Sequence, residues 1–269
     1  MNIIKMFRNI FTSAIISHNR LGQKKIGVEK GPSQLKKFLN KDIPIFELKA
    51  RHSLLNNLNS IYEENVNIKG SRINIGGDHS TTIATGAYTL NTYKNPKFLW
   101  FDAHGDINSY ASSPTKNYHG MVLSYLSGLS HNKPDFIKTF LTFDNLMYIG
   151  LRDLDPYESI LIRSLNVPVI RANELNANPE LAIKKIKDFV KNDPIHLSFD
   201  VDVMDPSFIS STGTPVENGL LLEQTKHVLE NIVDKQVVNL DICEFNPNIG
   251  NPKESLNNTV DLWKNIIME

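Results

Sequence analysis

Short apolar segments rich in β-branched residues alternate with segments of helical periodicity along nearly the whole chain. Strands that alternate with helices form parallel βαβ units, and such strands are almost continuously apolar because both faces of the sheet are covered. The predicted strands are residues 13–17, 43–47, 72–75, 97–101, 145–149, 167–170, 195–199 and 236–240. The predicted helices are residues 33–39, 53–64, 80–92, 121–127, 156–165, 179–191, 222–233 and 252–267. The pattern predicts an α/β fold, either an open sheet between helical layers or a closed eight-stranded barrel.

The bulk composition excludes several classes of partner. The chain has 29 basic and 29 acidic residues, whereas nucleic-acid-binding domains usually carry a basic surplus. No apolar run approaches the roughly 18–20 residues that a membrane-spanning helix needs. No repeat, low-complexity tract or linker-like break divides the sequence. We therefore expect a single catalytic domain over residues 1–269, with neither a nucleic acid nor a membrane as partner.

The single cysteine, Cys243, excludes an intrachain disulfide and a metal site built from several cysteines. This usage is typical of a reducing compartment. The first 28 residues contain no acid and include Lys5 and Arg8, which is also a feature of mitochondrial presequences. We interpret residues 11–17 as the beginning of the first strand instead, which favours a cytoplasmic over a mitochondrial location.

Histidines and aspartates follow three of the predicted strands directly. Side chains at positions i and i+2 of an extended segment share a face, so Asp102 and His104 are predicted to project together after the fourth strand. Carboxylates crowded onto one short segment repel each other unless a cation lies between them. The residues that follow the three strands are His79, then Asp102, His104 and Asp106, and then Asp200 and Asp202.

Four carboxylates and two imidazoles form a hard set of ligands without a thiolate. A structural zinc site would instead have four ligands, dominated by cysteine or histidine. The six residues fit two metal ions that share bridging carboxylates, and the oxygen-rich set favours Mn²⁺. Paired metals about 3.5–4 Å apart can hold and activate a water molecule.

In their order along the chain, the motifs resemble those of the ureohydrolase family, which includes arginases and agmatinases. The resemblance implies a three-layer αβα sandwich with an eight-stranded, mostly parallel sheet, so it favours the open sheet over the barrel. The matching motifs are residues 27–29 (GVE), 31–32 (GP), 76–80 (GGDHS), 102–106 (DAHGD), 119–120 (HG), 150–156 (GLRDLDP), 198–206 (SFDVDVMDP), 212–215 (TGTP) and 241–244 (DICE).

The resemblance also implies ligands for each metal and a reaction. Residues matching His79, Asp102, Asp106 and Asp200 hold the first metal of the family, and those matching Asp102, His104, Asp200 and Asp202 hold the second. A hydroxide that bridges the metals attacks the guanidinium carbon of L-arginine and yields L-ornithine and urea. By the same resemblance Asp106 and His119 are catalytic groups that move protons, and Glu244 faces the guanidinium group.

The polar loop of residues 107–118 is expected to select the substrate. By position, Asn108, Ser113 and Thr115 match residues of arginases that bind the α-carboxylate of an amino acid. Asp155 matches the residue that receives the α-ammonium group, and Thr214 matches one that supports Glu244. The family further implies a homo-oligomer, either a trimer or a hexamer.

Four positions depart from the arginase pattern: Gly105 replaces a usual Thr, Pro114 and Lys116 interrupt the loop, and Cys243 replaces a usual Met. Two alternatives therefore stay open. One is an agmatinase-like or other guanidino or formimino hydrolase, and the other is a metal-binding relative that has lost turnover. A deacetylase on a related fold is disfavoured because it has no use for Glu244.

Overall fold

The computed structural model describes residues 10–268. Lys5 and Arg8, on which the presequence alternative rests, lie outside these residues. Within the described range no helix is long and apolar enough to cross a membrane. The eight strands are β1 (Ser13–Ser17), β2 (Ile45–Leu48), β3 (Arg72–Ile75), β4 (Lys97–Phe101), β5 (Leu146–Ile149), β6 (Val169–Ile170), β7 (Ile195–Asp200) and β8 (Val237–Cys243).

All eight strands belong to one sheet, in the order β2-β1-β3-β8-β7-β4-β5-β6, and every neighbouring pair is parallel. Strands β2 and β6 are the two edges, so the sheet is open and the barrel alternative is excluded. The four central strands are β3, β8, β7 and β4. Their carboxyl ends meet at one edge of the sheet, where ligand sites of open α/β sheets form.

Helices cover both faces of the sheet. They are α1 (Gly31–Leu35), α2 (Leu54–Asn67), α3 (Thr82–Thr92), α4 (Val122–Leu126), α5 (Pro156–Ser164), α6 (Ala172–Ala177), α7 (Pro179–Val190), α8 (Leu222–Ile232) and α9 (Pro252–Trp263). Buried residues of α2, α3, α4 and α5 form one apolar cluster, and those of α1 and α6 to α9 form the other. The architecture is therefore a three-layer αβα sandwich.

Strand β4 illustrates why these sequences form a two-sided sheet. Phe98 and Trp100 pack in the cluster with α2 to α5, whereas Leu99 and Phe101 pack in the cluster on the opposite face. All four side chains are fully buried. Because successive side chains of a strand point to opposite faces, a strand covered on both sides must be apolar at every position.

The predicted bounds of β1, β3 and β4 are confirmed without change. Strand β8 continues three residues beyond its predicted end, because Asp241, Ile242 and Cys243 are buried and pair with β3 and β7. Asp241 interrupts the run of apolar residues, so the sequence pattern did not indicate that the strand continues. Helix α6 has only six residues and was missed because it is too short for a helical period to be recognised.

Gly77 permits a close approach of two segments at the carboxyl edge of the sheet. The backbone N–H of Asp78 donates to the carbonyl oxygen of Asn19 (2.9 Å), and a Cβ on Gly77 would lie only 1.7 Å from that oxygen. No L-residue fits at this position unless the backbone moves. Gly77 therefore fixes the segment that carries His79 against the segment that follows β1.

We predict that Gly77→Ala destabilises the protein by at least about 3 kcal/mol, because the added methyl group overlaps a backbone atom. Gly120→Ala is the matched control, since a Cβ there meets no atom within 4 Å and its φ of −81° suits any residue. Thermal unfolding of both variants measures the difference. Equal unfolding temperatures for the two variants would contradict the assigned packing.

Candidate metal centre

The order of the strands places the predicted site residues side by side. His79 follows β3, Glu244 follows β8, Asp200 ends β7 and Asp202 follows it, and the 102–106 segment follows β4. These four strands are consecutive neighbours in the sheet, although they are distant in sequence. The parallel topology therefore brings the three histidine and aspartate motifs to a single place at the carboxyl edge.

The six predicted ligands form two overlapping groups. In the first, the Nδ1 atom of His79 lies 3.1 Å from Asp102 Oδ2, 3.0 Å from Asp106 Oδ2 and 3.2 Å from Asp200 Oδ2. In the second, the Nδ1 atom of His104 lies 3.4 Å from Asp102 Oδ1 and 3.1 Å from Asp202 Oδ2. Asp102 contributes one carboxylate oxygen to each group and joins the two.

Short hydrogen-bonded turns orient the aspartates. Asp102 Oδ1 accepts from the backbone N–H of His104 (2.7 Å), and Asp200 Oδ1 accepts from the backbone N–H of Asp202 (2.9 Å). Each turn occupies one carboxylate oxygen and directs the other, Oδ2, towards His79 Nδ1. The residues at i and i+2 thus come together because an Asx turn closes after the strand, rather than because the strand continues.

The electrostatics of this cluster favour a bound cation. Burial, together with the nearby charge of Asp102, raises the pKa of Asp106 to about 6. Burial and the charges of Asp202 and Asp102 raise the pKa of Asp200 well above its usual range. Carboxylates in such a position are stabilised by a nearby positive charge.

Two buried atoms of the cluster have no hydrogen-bond partner within the described chain. They are His79 Nδ1 and Asp106 Oδ2, which face each other at 3.0 Å. Buried polar atoms without a partner are rare in proteins and often indicate an ion or water that completes the site. The geometry and the hard oxygen and nitrogen donors therefore fit divalent metal ions.

A thiol lies closer to the cluster than the sequence indicated. Cys243 Sγ, a ring nitrogen of His79 and a carboxylate oxygen of Asp200 lie within 4.8 Å of one another. Cys243 is directly opposite Asp200 in the pairing of β7 with β8. The six predicted ligands include no thiolate, yet this thiol lies beside two of them. The thiol itself contacts the carbonyl oxygen of Phe199 (3.7 Å).

Two further contacts orient His79. Its Nε2 atom lies 2.8 Å from the hydroxyl oxygen of Ser198, and its ring stacks on Trp100 with centroids 4.4 Å apart. The indole N–H of Trp100 also donates to Asp102 Oδ2 (3.2 Å). Since Nε2 is engaged by Ser198, Nδ1 is the nitrogen that faces the carboxylates.

Glu244 and His119 form a buried pair beside the aspartates. Glu244 Oε1 lies 3.0 Å from His119 Nδ1 and accepts from the backbone N–H of His79 (2.9 Å). Burial alone would raise the pKa of Glu244, but the charge and hydrogen bond of His119 lower it below its usual value. Burial opposes the charged form of His119 as well, yet the charge of Glu244 prevails and raises the pKa of His119 to about 9.

The predicted substrate contacts lie in one loop and at the start of α5. Asn108 Nδ2 donates to Asp155 Oδ2 (2.8 Å), so these two candidates are in direct contact. The hydroxyl oxygens of Ser113 and Thr115 accept from the backbone N–H groups of Lys116 (3.0 Å) and Asn117 (3.3 Å). The predicted loop of residues 107–118 contains no helix or strand up to residue 117, and a short 3₁₀ helix begins at Tyr118.

Thr214 has a different partner from the one expected. Its hydroxyl donates to Asp202 Oδ2 (3.0 Å), so it supports a candidate ligand rather than Glu244. Lys116, which interrupts the loop, contacts Tyr110. Its ammonium group donates to the carbonyl oxygen of Tyr110 (2.5 Å) and lies 5.1 Å from the centre of the Tyr110 ring.

Glu158 explains the departure at Gly105. A Cβ on Gly105 would lie 2.9 Å from Glu158 Oε1 and 2.9 Å from a methyl carbon of Leu154. Glu158 is buried and accepts from the backbone N–H groups of Ile107 (3.2 Å) and Asp155 (3.1 Å). It thereby ties the 102–106 segment to the start of α5, and a threonine at position 105 would displace it.

Four residues of the site were not singled out from the sequence: Gln23, Ser198, Glu158 and Arg152. Gln23 Nε2 donates to Glu244 Oε2 (2.7 Å). Arg152 donates to several carbonyl oxygens, including those of Asp202 (2.9 Å) and Val216 (2.8 Å). Ser198 and Arg152 belong to quoted motifs, so their position beside predicted ligands was a usable signal. Gln23 lies in no such motif.

Comparison with known proteins agrees with this geometry. A sequence model of the Arginase family matches residues 12–269 of this chain. The arginase of Schizosaccharomyces pombe is 37% identical over an alignment of 204 positions, which covers 72% of this chain but only 62% of that protein. The arginase of Entamoeba histolytica is 34% identical over an alignment of 265 positions, which covers 86% of this chain and 88% of that protein.

The solved structures agree as well. The crystal structure of the Entamoeba histolytica arginase in complex with L-ornithine superimposes with a TM-score of 0.88 at 29% identity, over 95% of this chain and 98% of that one. A structure of the arginase from Bacillus subtilis gives a TM-score of 0.87 at 26% identity, over 95% of this chain and 98% of that one. The family match over nearly the whole chain and the shared fold lead to one conclusion: this chain belongs to the arginase family.

Proposed function

We propose that this protein is an arginase, a hydrolase that cleaves L-arginine with water to L-ornithine and urea and that uses two Mn²⁺ ions. The observation that carries the proposal is the convergence of three carboxylate oxygens within 3.2 Å of one imidazole nitrogen, beside the buried carboxylate of Glu244. The whole sheet, with the helices on its two faces, is proposed to act as a single catalytic domain.

The two overlapping groups would hold one metal ion each. His79, Asp106 and Asp200 surround one position, His104 and Asp202 surround the other, and Asp102 has an oxygen in both groups. When bound, a pair of divalent ions lowers the pKa of a water molecule and makes it a nucleophile at neutral pH. The donors are oxygen-rich, which supports Mn²⁺ over metals that prefer sulfur.

Glu244 is proposed to bind the guanidinium group of the substrate. A carboxylate pairs with a guanidinium ion through charge-assisted hydrogen bonds. The lowered pKa of Glu244 keeps it ionised at neutral pH, so it carries the charge that this pairing needs. Its contact with the backbone N–H of His79 places this charge next to the candidate metal ligands.

His119 and Asp106 are proposed to move protons. Hydrolysis requires a proton for the amine that leaves the guanidinium carbon. His119 has a pKa raised to about 9, so it holds a proton at neutral pH that it can donate. Asp106 is proposed to accept the proton that the attacking water loses, because its buried Oδ2 has no hydrogen-bond partner among the described residues and lies inside the cluster, 3.0 Å from His79 Nδ1.

The other end of the substrate is proposed to meet the loop that carries Asn108. Ser113 and Thr115 accept backbone N–H groups through their oxygens, which leaves their hydroxyl hydrogens for a substrate carboxylate. Asp155, which lies against Asn108, offers a negative charge for the α-ammonium group. We further propose a cytoplasmic protein that forms a homo-oligomer, a trimer or a hexamer.

Added Mn²⁺ is expected to raise the unfolding temperature of the wild-type protein, because a ligand that binds only the folded state stabilises it. Asp102→Asn should abolish most of this increase, since Asp102 contributes an oxygen to both groups. Asp261→Asn is the control, because Asp261 in α9 pairs with Lys226 in α8 and belongs to neither group of candidate ligands. Differential scanning fluorimetry with and without Mn²⁺ measures the unfolding temperatures. If Mn²⁺ raised the unfolding temperature of Asp102→Asn as much as that of the wild-type protein, the ligand assignment would be contradicted.

Urea release after Mn²⁺ loading should favour L-arginine over agmatine and 4-guanidinobutyrate by at least about a hundredfold in kcat/KM. The reason is that agmatine leaves the carboxylate-binding donors unpaired, whereas 4-guanidinobutyrate has no α-ammonium group for Asp155.

Asp106→Asn should lower kcat at least about a hundredfold, the usual scale of a lost proton-transfer group, without unfolding the protein. A preference for agmatine would favour the agmatinase-like alternative, and near-normal turnover of Asp106→Asn would contradict the role of this residue.

Thr115→Val tests the carboxylate contact in isolation, because the substitution keeps the shape of the side chain and removes only the hydroxyl group. We expect KM for L-arginine to rise about tenfold to a hundredfold, the scale of one hydrogen bond to a charged group. KM for agmatine should not change. Thr142→Val, at an exposed position in another loop, should leave both constants unchanged. A parallel rise of both KM values in Thr115→Val would contradict the proposed contact.

A further inference from the structure

Gln23 reaches the proposed guanidinium-binding carboxylate from a remote part of the chain. It lies in the segment after β1, yet its Nε2 atom donates to Glu244 Oε2 at 2.7 Å, across 221 positions of sequence. Both side chains are buried, with exposed fractions of 8% for Gln23 and 1% for Glu244. A buried hydrogen bond to an ionised group is among the stronger contacts in a protein.

The acceptor sites of Glu244 show why this contact matters. A carboxylate has about four lone-pair sites. Two of them, on Oε1, are taken by the backbone N–H of His79 and by His119 Nδ1, and one, on Oε2, is taken by Gln23. One site on Oε2 therefore remains for a substrate N–H. Gln23 holds Oε2 with a single hydrogen bond and leaves the second lone-pair site of this oxygen open.

The second attachment point fixes the plane of the carboxylate. Rotation about the last side-chain bond of glutamate has broad, shallow preferences, so contacts to Oε1 alone leave Oε2 free to swing. With Oε1 held by two donors and Oε2 by one, the carboxylate has a defined plane. A guanidinium ion is planar and presents its N–H groups in a fixed fork, so its binding depends on that plane.

The segment that carries Gln23 is itself tied to the site. The backbone N–H of Gly22 donates to Asp78 Oδ2 (2.8 Å), and its carbonyl oxygen accepts from the backbone N–H of His119 (3.2 Å). Asn19 Nδ2 donates to the hydroxyl oxygen of Ser80 (2.9 Å). Gln23 therefore extends from a segment fixed both to the turn that carries His79 and to His119, and it is not a freely moving surface residue.

We propose that Gln23 is a positioning residue that sets the carboxylate plane of Glu244 for a guanidinium ion. The proposal rests on the proposed function, because it assigns Glu244 to guanidinium binding. According to this proposal, Gln23 affects recognition of the guanidinium group and not recognition of the amino-acid end of the substrate. L-Arginine depends on both ends, whereas L-ornithine has no guanidinium group and depends only on the second.

Gln23→Met tests this separation, since methionine keeps the length and burial of the side chain and removes the donor. We expect KM for L-arginine to rise about tenfold, as for the loss of one charge-assisted hydrogen bond, with a much smaller change in kcat. The inhibition constant of L-ornithine and the Mn²⁺ content of the loaded protein should stay at wild-type values. Steady-state kinetics with ornithine as inhibitor and metal analysis provide the measurements.

Asn65→Leu is the matched control, because Asn65 is a buried amide that bonds to Ile61 and Asn74 rather than to the site. Asn65→Leu should lower the unfolding temperature and leave both KM for L-arginine and the inhibition constant of L-ornithine unchanged. An unchanged KM in Gln23→Met, or an equal weakening of L-arginine and L-ornithine, would overturn the positioning role.

A second variant covers the case in which Gln23→Met does not fold. Gln23→Glu places a like charge against Glu244 Oε2 and should raise KM for L-arginine more than Gln23→Met does. A wild-type KM in Gln23→Glu would overturn the proposal. If the wild-type protein cleaves no guanidino compound, the proposed function fails and the Gln23 proposal fails with it. Normal wild-type turnover combined with an unaffected variant overturns the Gln23 proposal alone.

Discussion

Repulsion among buried carboxylates is the constraint on which the rest of the site depends. Two like charges about 4 Å apart repel by about 4 kcal/mol at the effective dielectric constant of a protein surface, and a domain is stable by only about 5–15 kcal/mol. A carboxylate oxygen of Asp102 and one of Asp106 lie within 4.8 Å of each other beside His79, and both residues are buried. The sheet tolerates such a cluster because hydrogen bonds within the chain fix each group and because the open positions suit cations.

The topology determines which chemistry each strand contributes. The central strands β3, β8, β7 and β4 supply in turn a histidine, Glu244, one aspartate pair and the segment with the remaining candidate ligands. The neighbouring strand β5 leads to Asp155, on the side where the loop of residues 107–117 lies. In the function proposed above, the substrate would therefore lie along the sheet edge, with its guanidinium group over β8 and its amino-acid end towards β5.

Much of this arrangement could be predicted from the sequence, because apolar strands and the motifs that follow them are local signals. The bounds of β1, β3 and β4 were predicted in full, and all six candidate ligands lie together. The contacts that could not be predicted are the long-range ones. The bond from Gln23 to Glu244 and the bond from Thr214 to Asp202 depend on how loops pack, and neither leaves a periodic pattern.

The Asx turns of Asp102 and Asp200 impose a limit on the composition of the site. Each turn closes a small ring from the side-chain Oδ1 to the N–H two residues later, and this ring accommodates one methylene group. Glutamate has the same charge but a longer arm, so it cannot close the ring and direct its other oxygen to His79 in the same way. Substitutions at these two positions are therefore restricted by the length of the side chain as well as by its charge.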